Sequence, residues 1–380
     1  MISGKRGGKG EESGGRRDSG KDPRGCSFLP DLSLWYDWHA GRETLPEGLN
    51  GKSLSAAAEA LGVRGWIPYA PWRAEFPGLD VSRGKSETEI VRDVRTSKGV
   101  LTSRWILGPD GDWWQNEYPV KTADDLEAAY KYCRAKSYHI ARETSFSAAG
   151  ADPENDILAV KLPQQPFSEI IHDLLGFGEG IIILMQEEER IAELTGMLAD
   201  SYAALLDSLI GHLSGDPAGE GPGAESGDYR EIVFYSPDNL DANFISPNIF
   251  DRYLLDGYAK TVDRLHRAEY GLAVHLGGYV KPLLSRLGDI GIDILQGISG
   301  PPQSDASLRE ARELTGAEPL LWGGIPQDFV LPEGNEKNLE ECAQIVADAC
   351  SGDRRIVAGV SDKVPVEADL EKLKYLRDFF

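Results

Sequence analysis

Residues 231–276, EIVFYSPDNLDANFISPNIFDRYLLDGYAKTVDRLHRAEYGLAVHL, hold the pattern that decides the fold. Two short β-rich runs, Glu231–Tyr235 and Leu272–His275, stand at its ends. Between them Ser246 and Pro247 are typical of the start of a helix, and apolar residues follow at near helical spacing until the second run. This strand–helix–strand order predicts one unit of a parallel sheet that is covered by helices.

The same alternation continues on both sides of this unit. The candidate strands are Leu32–Trp38, Gly65–Tyr69, Ile157–Leu162, Glu231–Tyr235, Leu272–His275, Ile292–Gln296, Pro319–Trp322 and Arg355–Ala358. Eight strands alternating with helices predict an α/β protein, a (β/α)8 TIM barrel. The length of 380 residues fits one barrel with insertions, because such barrels run from about 200 to over 400 residues.

Three segments depart from the alternation. Residues 1–28 are rich in glycine and charge and poor in apolar side chains, which predicts a flexible tail ahead of a barrel domain at 29–380. Residues 215–227 are rich in glycine, proline and acidic side chains, which predicts a loop. Val91–Thr96 and Leu101–Leu107 flank a turn-like segment and predict an antiparallel hairpin inserted near the N-terminal side of the barrel, where it would wall one side of the site.

Charge and composition exclude several classes of protein. The net charge of −22 disfavours non-specific binding to nucleic acid or to anionic lipid. No apolar run reaches the roughly 18 to 20 residues that a membrane span needs, and the first residues lack the apolar core of a secretory signal, so we expect a cytoplasmic protein. The four cysteines are widely spaced without a C-x-x-C pair, so we expect unpaired helical cysteines. Phosphate-loop, dinucleotide-fold, H-E-x-x-H and G-x-S-x-G motifs are all missing from the sequence.

In a barrel of this kind the functional residues follow the carboxyl ends of the strands, where the βα loops converge on one cavity. The polar and aromatic residues at those points are Trp35, Tyr36, His39, Arg42, Gln164, Asp238, Asn239, Asp241, Asn243, His275, Gln296, Trp322 and Ser361.

His275 is the sharpest candidate, because its imidazole ends a strand and is followed by glycines that let a ligand approach the backbone. The alternative is a histidine that only caps the strand. Asp241 or Asp238 would act as a general acid/base or orient His275. The alternative for their loop is an Asx turn whose side chains bond their own backbone.

The stretch 236–284, SPDNLDANFISPNIFDRYLLDGYAKTVDRLHRAEYGLAVHLGGYVKPLL, resembles the uroporphyrinogen decarboxylase superfamily. The later pieces DIGIDILQ, WGGIP and RRIVAGVSDKVPVEAD, from 289, 322 and 354, fall in that family's order. The resemblance implies a (β/α)8 barrel and one of two activities. One branch decarboxylates the acetate arms of uroporphyrinogen, and the other comprises methyltransferases that work with a corrinoid protein, usually with zinc. The PDNLDAN and GPDGDWWQ segments look closer to the methyltransferase-like members.

The sequence departs from the family's pattern at the metal site. Zinc-dependent members carry His-x-Cys and a further cysteine in the last loop, whereas the matching positions here are His275, Gly277 and Ser361. Gln296 stands where related sequences often have Glu, and Arg42 is the one arginine matching the decarboxylases' substrate-binding segment. Zinc on His275 with oxygen ligands such as Asp238, Asp241 or Asp362 stays open.

The resemblance therefore favours a methyltransferase that moves a methyl group between a small methylated compound and a corrinoid protein or another acceptor. Trp35, Tyr36 and Trp322 would shape its pocket. Two alternatives remain: decarboxylation of a polycarboxylate, and a barrel that binds a ligand without catalysis.

Overall fold

The computed structural model describes residues 26–109, 111–140, 149–214 and 229–380. The predicted loop at 215–227 and most of the predicted tail, residues 1–25, lie outside these ranges. The strands are β1 Trp66–Tyr69, β2 Trp72–Glu75, β3 Asp80–Lys85, β4 Glu89–Thr96, β5 Gly99–Leu107, β6 Trp113–Glu117, β7 Ser137–Ile140, β8 Ile157–Lys161, β9 Ile232–Leu240, β10 Gly271–Leu276, β11 Ile294–Ile298, β12 Leu320–Ile325 and β13 Ile356–Val360.

The helices cover these strands. They are α1 Ser33–Ala40, α2 Leu54–Ala60, α3 Leu126–Ala135, α4 Pro166–Glu169, α5 Glu179–Gln186, α6 Glu188–Ser214, α7 Pro247–Ile249, α8 Leu255–Arg267, α9 Leu284–Ile290, α10 Leu308–Thr315, α11 Glu336–Gly352 and α12 Leu370–Phe379. Two π-helical segments, Ile170–Leu175 and Phe250–Leu254, follow α4 and α7. No helix in the described ranges has the length and apolar character to span a membrane.

The central sheet is parallel and seven-stranded, in the order β1-β8-β9-β10-β11-β12-β13. It curls so strongly that the ring of Trp66 on β1 lies 4.8 Å from that of Trp322 on β12. The enclosed face carries a compact cluster that includes Leu29, Trp66, Tyr235 and Trp322, and a larger core fills the space between the sheet and the helices. Both faces are buried, which explains why the strands read as nearly continuous apolar runs in the sequence.

The first predicted strand, Leu32–Trp38, is wrong: this segment forms helix α1. Its aromatic residues have high β propensity, but their spacing also suits a helix, and the buried carboxylate of Asp31 accepts the backbone N–H of Ser33 at 2.9 Å at the helix start. The pairing at the edge of β13 is made instead just upstream, where Phe28 forms a parallel bridge with Ala358. The other seven predicted strands are confirmed to within a few residues.

The helix predicted from Ser246 is also present. Oγ of Ser246 accepts the backbone N–H of Ile249 at 3.4 Å, and Pro247 opens the helix. The chain then runs through the π-helical segment into α8 and reaches β10.

The antiparallel insertion is seen and is larger than the predicted hairpin. The strands β3, β4, β5 and β6 form a four-stranded antiparallel sheet, and β2 pairs with β7 beside it. The loop before β6 reaches the end of the parallel sheet, because a Cβ on Gly111 would lie 2.5 Å from Val366 and 2.8 Å from Trp38.

The expectation that all four cysteines are unpaired is wrong for two of them. Cys26 and Cys350 form a disulfide bond that joins the N-terminal segment to helix α11. Cys133 and Cys342 are free. The two bonded residues are 324 positions apart, so no local spacing in the sequence indicates the pair.

Candidate active site

Polar side chains gather on the inner face of the parallel sheet, at the carboxyl ends of its strands. We call this place the mouth and define it by Lys161, His275, Gln296, Asp362 and Lys363. His275 and Gln296 are register partners on β10 and β11, so their side chains project from the same face. The alternation of inward residues along β10, from Ala273 in the enclosed cluster to His275, explains this direction.

His275 is held by both of its ring nitrogens. Nδ1 bonds Oε1 of Gln296, and Nε2 lies 3.5 Å from Oδ1 of Asp362. An amide oxygen can only accept, so Nδ1 carries a proton and Nε2 is the atom that takes up or releases another. Nε2 of Gln296 donates to the backbone carbonyl of Asp362 at 2.9 Å, which fixes the three residues relative to one another.

Asp362 has an unusual backbone. Its φ is +68°, in the left-handed region that non-glycine residues seldom adopt. Its side chain is 52% exposed, whereas that of His275 is 9% exposed. The imidazole is therefore shielded on its buried side and open towards the carboxylate.

Two lysines at the mouth were missed by the sequence reasoning. Lys161 ends β8 and follows Ile157 and Ala159, which belong to the enclosed cluster, so the alternation turns Lys161 inward as well. Nζ of Lys363 lies 3.6 Å from Oδ2 of Asp112 in the insertion. The period of two along β8 would have indicated Lys161, but the meeting of Lys363 with Asp112 is a tertiary contact.

These charges act on one another across the mouth. Burial opposes the charge of Lys363, yet Asp112, Asp362 and Asp31 together raise its pKa. Burial and the nearby charge of Lys363 lower the pKa of Lys161. Burial raises the pKa of Asp31. The mouth is thus a mixed group of acids and bases in a partly desolvated place, which is the setting that tunes proton transfer.

Comparison with known proteins agrees with this architecture. A family model described as uroporphyrinogen decarboxylase (URO-D) matches residues 234–380. Over these residues the chain is similar to the uroporphyrinogen decarboxylase family. The solved structure of a methyltransferase from Methanosarcina mazei is similar with a TM-score of 0.52 and 15% identity, covering 93% of this chain and 92% of that chain. At that identity the likeness concerns the fold. No curated protein matches the sequence.

Within the matched residues 234–380, Asp238 faces the helices and not the mouth. Its carboxylate accepts the backbone N–H of Gln165 at 2.9 Å and the hydroxyl of Tyr258 on α8. Burial raises the pKa of this carboxyl to about 6. Asp238 therefore ties β9 to α4 and α8, and the structure does not bring it to His275.

Asp241, Asn239 and Asn243 lie in the loop that follows β9. Oδ1 of Asp241 accepts the backbone N–H of Asn243 at 2.8 Å and that of Tyr279 at 3.3 Å. The first bond is the Asx turn that stood as the alternative for this loop. A Cβ on Gly278, where φ is +62°, would lie 2.2 Å from Oδ2 of Asp241, so the carboxylate rests on the glycine turn after His275.

The candidates His39 and Arg42, on and just after α1, are engaged by neighbouring residues. His39 bonds Oγ1 of Thr44 at 2.7 Å and the carbonyl of Val366 at 2.8 Å, so both ring nitrogens are engaged. The Arg42 guanidinium packs over the ring of Trp38, 3.3 Å from its centroid.

Trp35 and Tyr36 are also engaged by the protein. Trp35 is buried, with its ring 5.1 Å from that of His39. The Tyr36 hydroxyl donates to the carbonyl of Lys52 at 2.6 Å. Neither contact leads to the His275–Asp362 pair.

The last three candidates, Gln164, Trp322 and Ser361, lie in three different surroundings. Gln164 is half-buried in the turn between β8 and α4. Trp322 belongs to the enclosed cluster, and its Nε1 donates to the carbonyl of Leu29 at 2.7 Å, so it fills the interior of the sheet below the mouth. Oγ of Ser361 accepts the backbone N–H of Gly324 at 3.2 Å.

The side chains that the structure describes at the mouth do not fit a zinc site. Within the described ranges no three residues of the His, Cys, Asp and Glu types come together as ligands. The positions that carry thiols in zinc-dependent relatives are Gly277 and Ser361, and a Cβ on Gly277 would lie 2.1 Å from Oδ1 of Asn239.

A cavity of about 580 Å³ lies elsewhere, between α10 and α11 on the helical side of β12. Leu308, Val346 and Cys342 are among its lining residues. None of its lining residues belongs to the mouth, so this cavity and the candidate active site are separate.

Proposed function

We propose that the protein is a methyltransferase that moves a methyl group between a small methylated compound and a corrinoid protein or another acceptor. The observation that carries the proposal is the His275–Asp362 pair, fixed by Gln296 at the carboxyl end of a parallel sheet. Both the superfamily and the fold of the Methanosarcina mazei methyltransferase support it.

The pair supplies the proton that such a transfer requires. When the bond between the methyl carbon and an oxygen or nitrogen breaks, the electron pair stays on the heteroatom, which must be protonated to leave easily. Nε2 of His275 gives that proton, and the Asp362 carboxylate stabilises the imidazolium beforehand. A corrinoid, when present, supplies the nucleophile that takes the methyl carbon.

An acceptor carried by another protein has to reach the methyl group from outside. The mouth fits this need, because Asp362 is half exposed at its rim while the ring of His275 is shielded behind it. The barrel mouth would hold donor and acceptor in line, which lowers the entropic part of the barrier.

The test is a spectroscopic assay. The purified protein is mixed with a reduced corrinoid protein and a panel of O-methyl and N-methyl compounds, and the corrin absorption spectrum is followed. A change that depends on both the methyl donor and His275 supports the proposal. An unchanged spectrum with every donor contradicts it.

Decarboxylation is a second candidate, and the presence of Lys161 and Lys363 at the mouth favours it, since cations bind carboxylates. Incubation with uroporphyrinogen and detection of carbon dioxide tests this reaction. Lys363 is already paired with Asp112, which leaves little basic capacity for a substrate with many carboxylates.

We also propose that the curled sheet closes as an eight-stranded barrel, with residues 27–29 beside β13 as the remaining strand. The backbone N–H of Leu29 donates to the carbonyl of Ala358 at 2.8 Å, and Leu29 shares the enclosed cluster with Trp66 of β1. Slow hydrogen exchange at the Leu29 amide would support this closure, and exchange at the rate of an open chain would contradict it.

A further inference from the structure

Neither the superfamily nor the proposed reaction explains why a lysine, Lys161, lies at the mouth. It stands on the inward face of β8, beside its register partner Tyr235, whose ring belongs to the enclosed cluster. The strand is held there by its backbone, because Nε1 of Trp72 donates to the carbonyl of Lys161 at 2.6 Å. The position of the side chain is therefore set by the sheet and not by an ion pair.

The cations near the mouth differ in what they contact. Lys363 is paired with Asp112, and Arg42 lies over the ring of Trp38. Lys161 is exposed, and it has no carboxylate at ion-pair distance within the described ranges. The ammonium group thus points into the mouth, and none of the described residues supplies a counter-ion for it.

An ammonium group that no described carboxylate pairs with is costly beside another cation in a partly desolvated place. Burial first, and the charge of Lys363 next, lower the pKa of Lys161, which agrees with this cost. One bound anion would offset both penalties by its attraction to the ammonium group. A substrate with several negative charges would instead meet Asp31, Asp112 and Asp362, which already surround Lys363.

We propose that Lys161 binds the carboxylate of a small substrate that carries a single negative charge, and so selects it for the reaction at His275. The substrate class is thus a methylated monocarboxylate. That the substrate carries a methyl group rests on the proposed function. The anion site itself rests on the geometry of Lys161.

The site is tested by binding, without turnover. The lysines of the folded protein are converted to ¹³C-dimethyl-lysines, which keep their charge, and their NMR signals are titrated with pH. The signal of Lys161 is assigned by its absence in Lys161→Met. Acetate, butyrate and benzoate are then added, each compared with its neutral amide.

We expect a saturable shift of the Lys161 signal and a rise in its pKa with the carboxylates, and neither change with the amides. Lys161→Met should weaken carboxylate binding, measured by calorimetry, about tenfold or more, and Lys161→Arg should keep most of it. Lys337 on α11, whose side chain is 80% exposed, is the matched control, so its signal should not move and Lys337→Met should bind normally.

An unmoved Lys161 signal with all three carboxylates, or equal binding by Lys161→Met, overturns the inference. Tighter binding of succinate than of butyrate would contradict the inference that the substrate carries a single negative charge. These outcomes are independent of the corrin assay. Carboxylate binding without methyl transfer would support the anion site and contradict the proposed function.

Discussion

Nε2 of His275 lies 3.5 Å from Oδ1 of Asp362, while Nδ1 of the same ring bonds Gln296. The distance is slightly longer than a hydrogen bond and suits a pair that tightens when the imidazole is charged. The two residues come from β10 and from the loop after β13, so the pair exists only when the sheet is assembled.

Asp362→Asn should lower kcat for methyl transfer about 10- to 100-fold with little change in KM, because the amide cannot stabilise the imidazolium. His275→Ala should lower it at least as much. Rates from the corrin spectrum check both. Asp256→Asn, at a carboxylate whose side chain is 81% exposed on α8, is the control. Normal activity of both mouth variants would show that the protein does not catalyse through this pair.

Asp238→Asn should reduce the free energy of unfolding by about 2–4 kcal/mol, because a buried acceptor of two hydrogen bonds is replaced by a group that cannot accept both equally well. Tyr258→Phe removes one of these bonds and should cost less. Urea denaturation measures both. If Asp238→Asn unfolded like the wild type yet lost methyl transfer, Asp238 would be catalytic after all.

Asp173 predicts a pH dependence of stability. Burial first, and Glu169 next, raise the pKa of its carboxyl to about 6 from 3.8. A raised pKa means that the folded state binds the proton more tightly, so this contribution to stability is complete below about pH 3.8 and is lost as the pH rises through 6.

Asp173→Asn removes that titration. Between pH 4 and 7 the stability of the wild type relative to this variant should fall by up to about 3 kcal/mol, measured by denaturation at each pH. The pKa of Asp238 is raised in both proteins, so its contribution to the pH dependence of stability cancels in the difference. A constant difference across this range would show that Asp173 keeps an ordinary pKa.

Gly359→Ala should destabilise the sheet by about 2–4 kcal/mol, because its Cβ would lie 2.4 Å from Nε1 of Trp322 and 2.7 Å from the carbonyl of Leu29. These two atoms form the bond that holds residues near Leu29 to the interior. Gly352→Ala is the control, since no atom lies within 4 Å of its Cβ, and it should be neutral or stabilising by about 0.5–1 kcal/mol. Equal melting temperatures of the two variants would contradict the role of Trp322.

Much of the fold could be predicted from local patterns. The runs around Trp66, Ile157 and Leu272 are buried on both sides and flanked by helix signals, so they read as parallel strands. The prediction of a strand at Leu32–Trp38 is wrong because aromatic residues suit both a strand and an amphipathic helix. Only the hydrogen bond from the Ser33 backbone N–H to the buried Asp31 carboxylate and the pairing of Phe28 with Ala358 decide between the two.

The site could be predicted in part. His275 and Gln296 follow from the rule that strand ends carry the functional groups, and the structure brings them together. Asp238 follows the same rule yet faces the helices, because the inward or outward direction of a residue near an irregular strand end depends on register shifts such as the one between Val274 and Leu276.

The sequence by itself determined the parallel sheet, its helices and the position of His275, because the periods of buried side chains are local properties of the chain. The tertiary structure alone decided the partners at the mouth. Lys161, Asp112 and Lys363 are far apart in the sequence, and their charges interact only after the curled sheet and the insertion bring them within range. The same holds for the bond between Cys26 and Cys350, since no local pattern encodes a contact between the two ends of the chain.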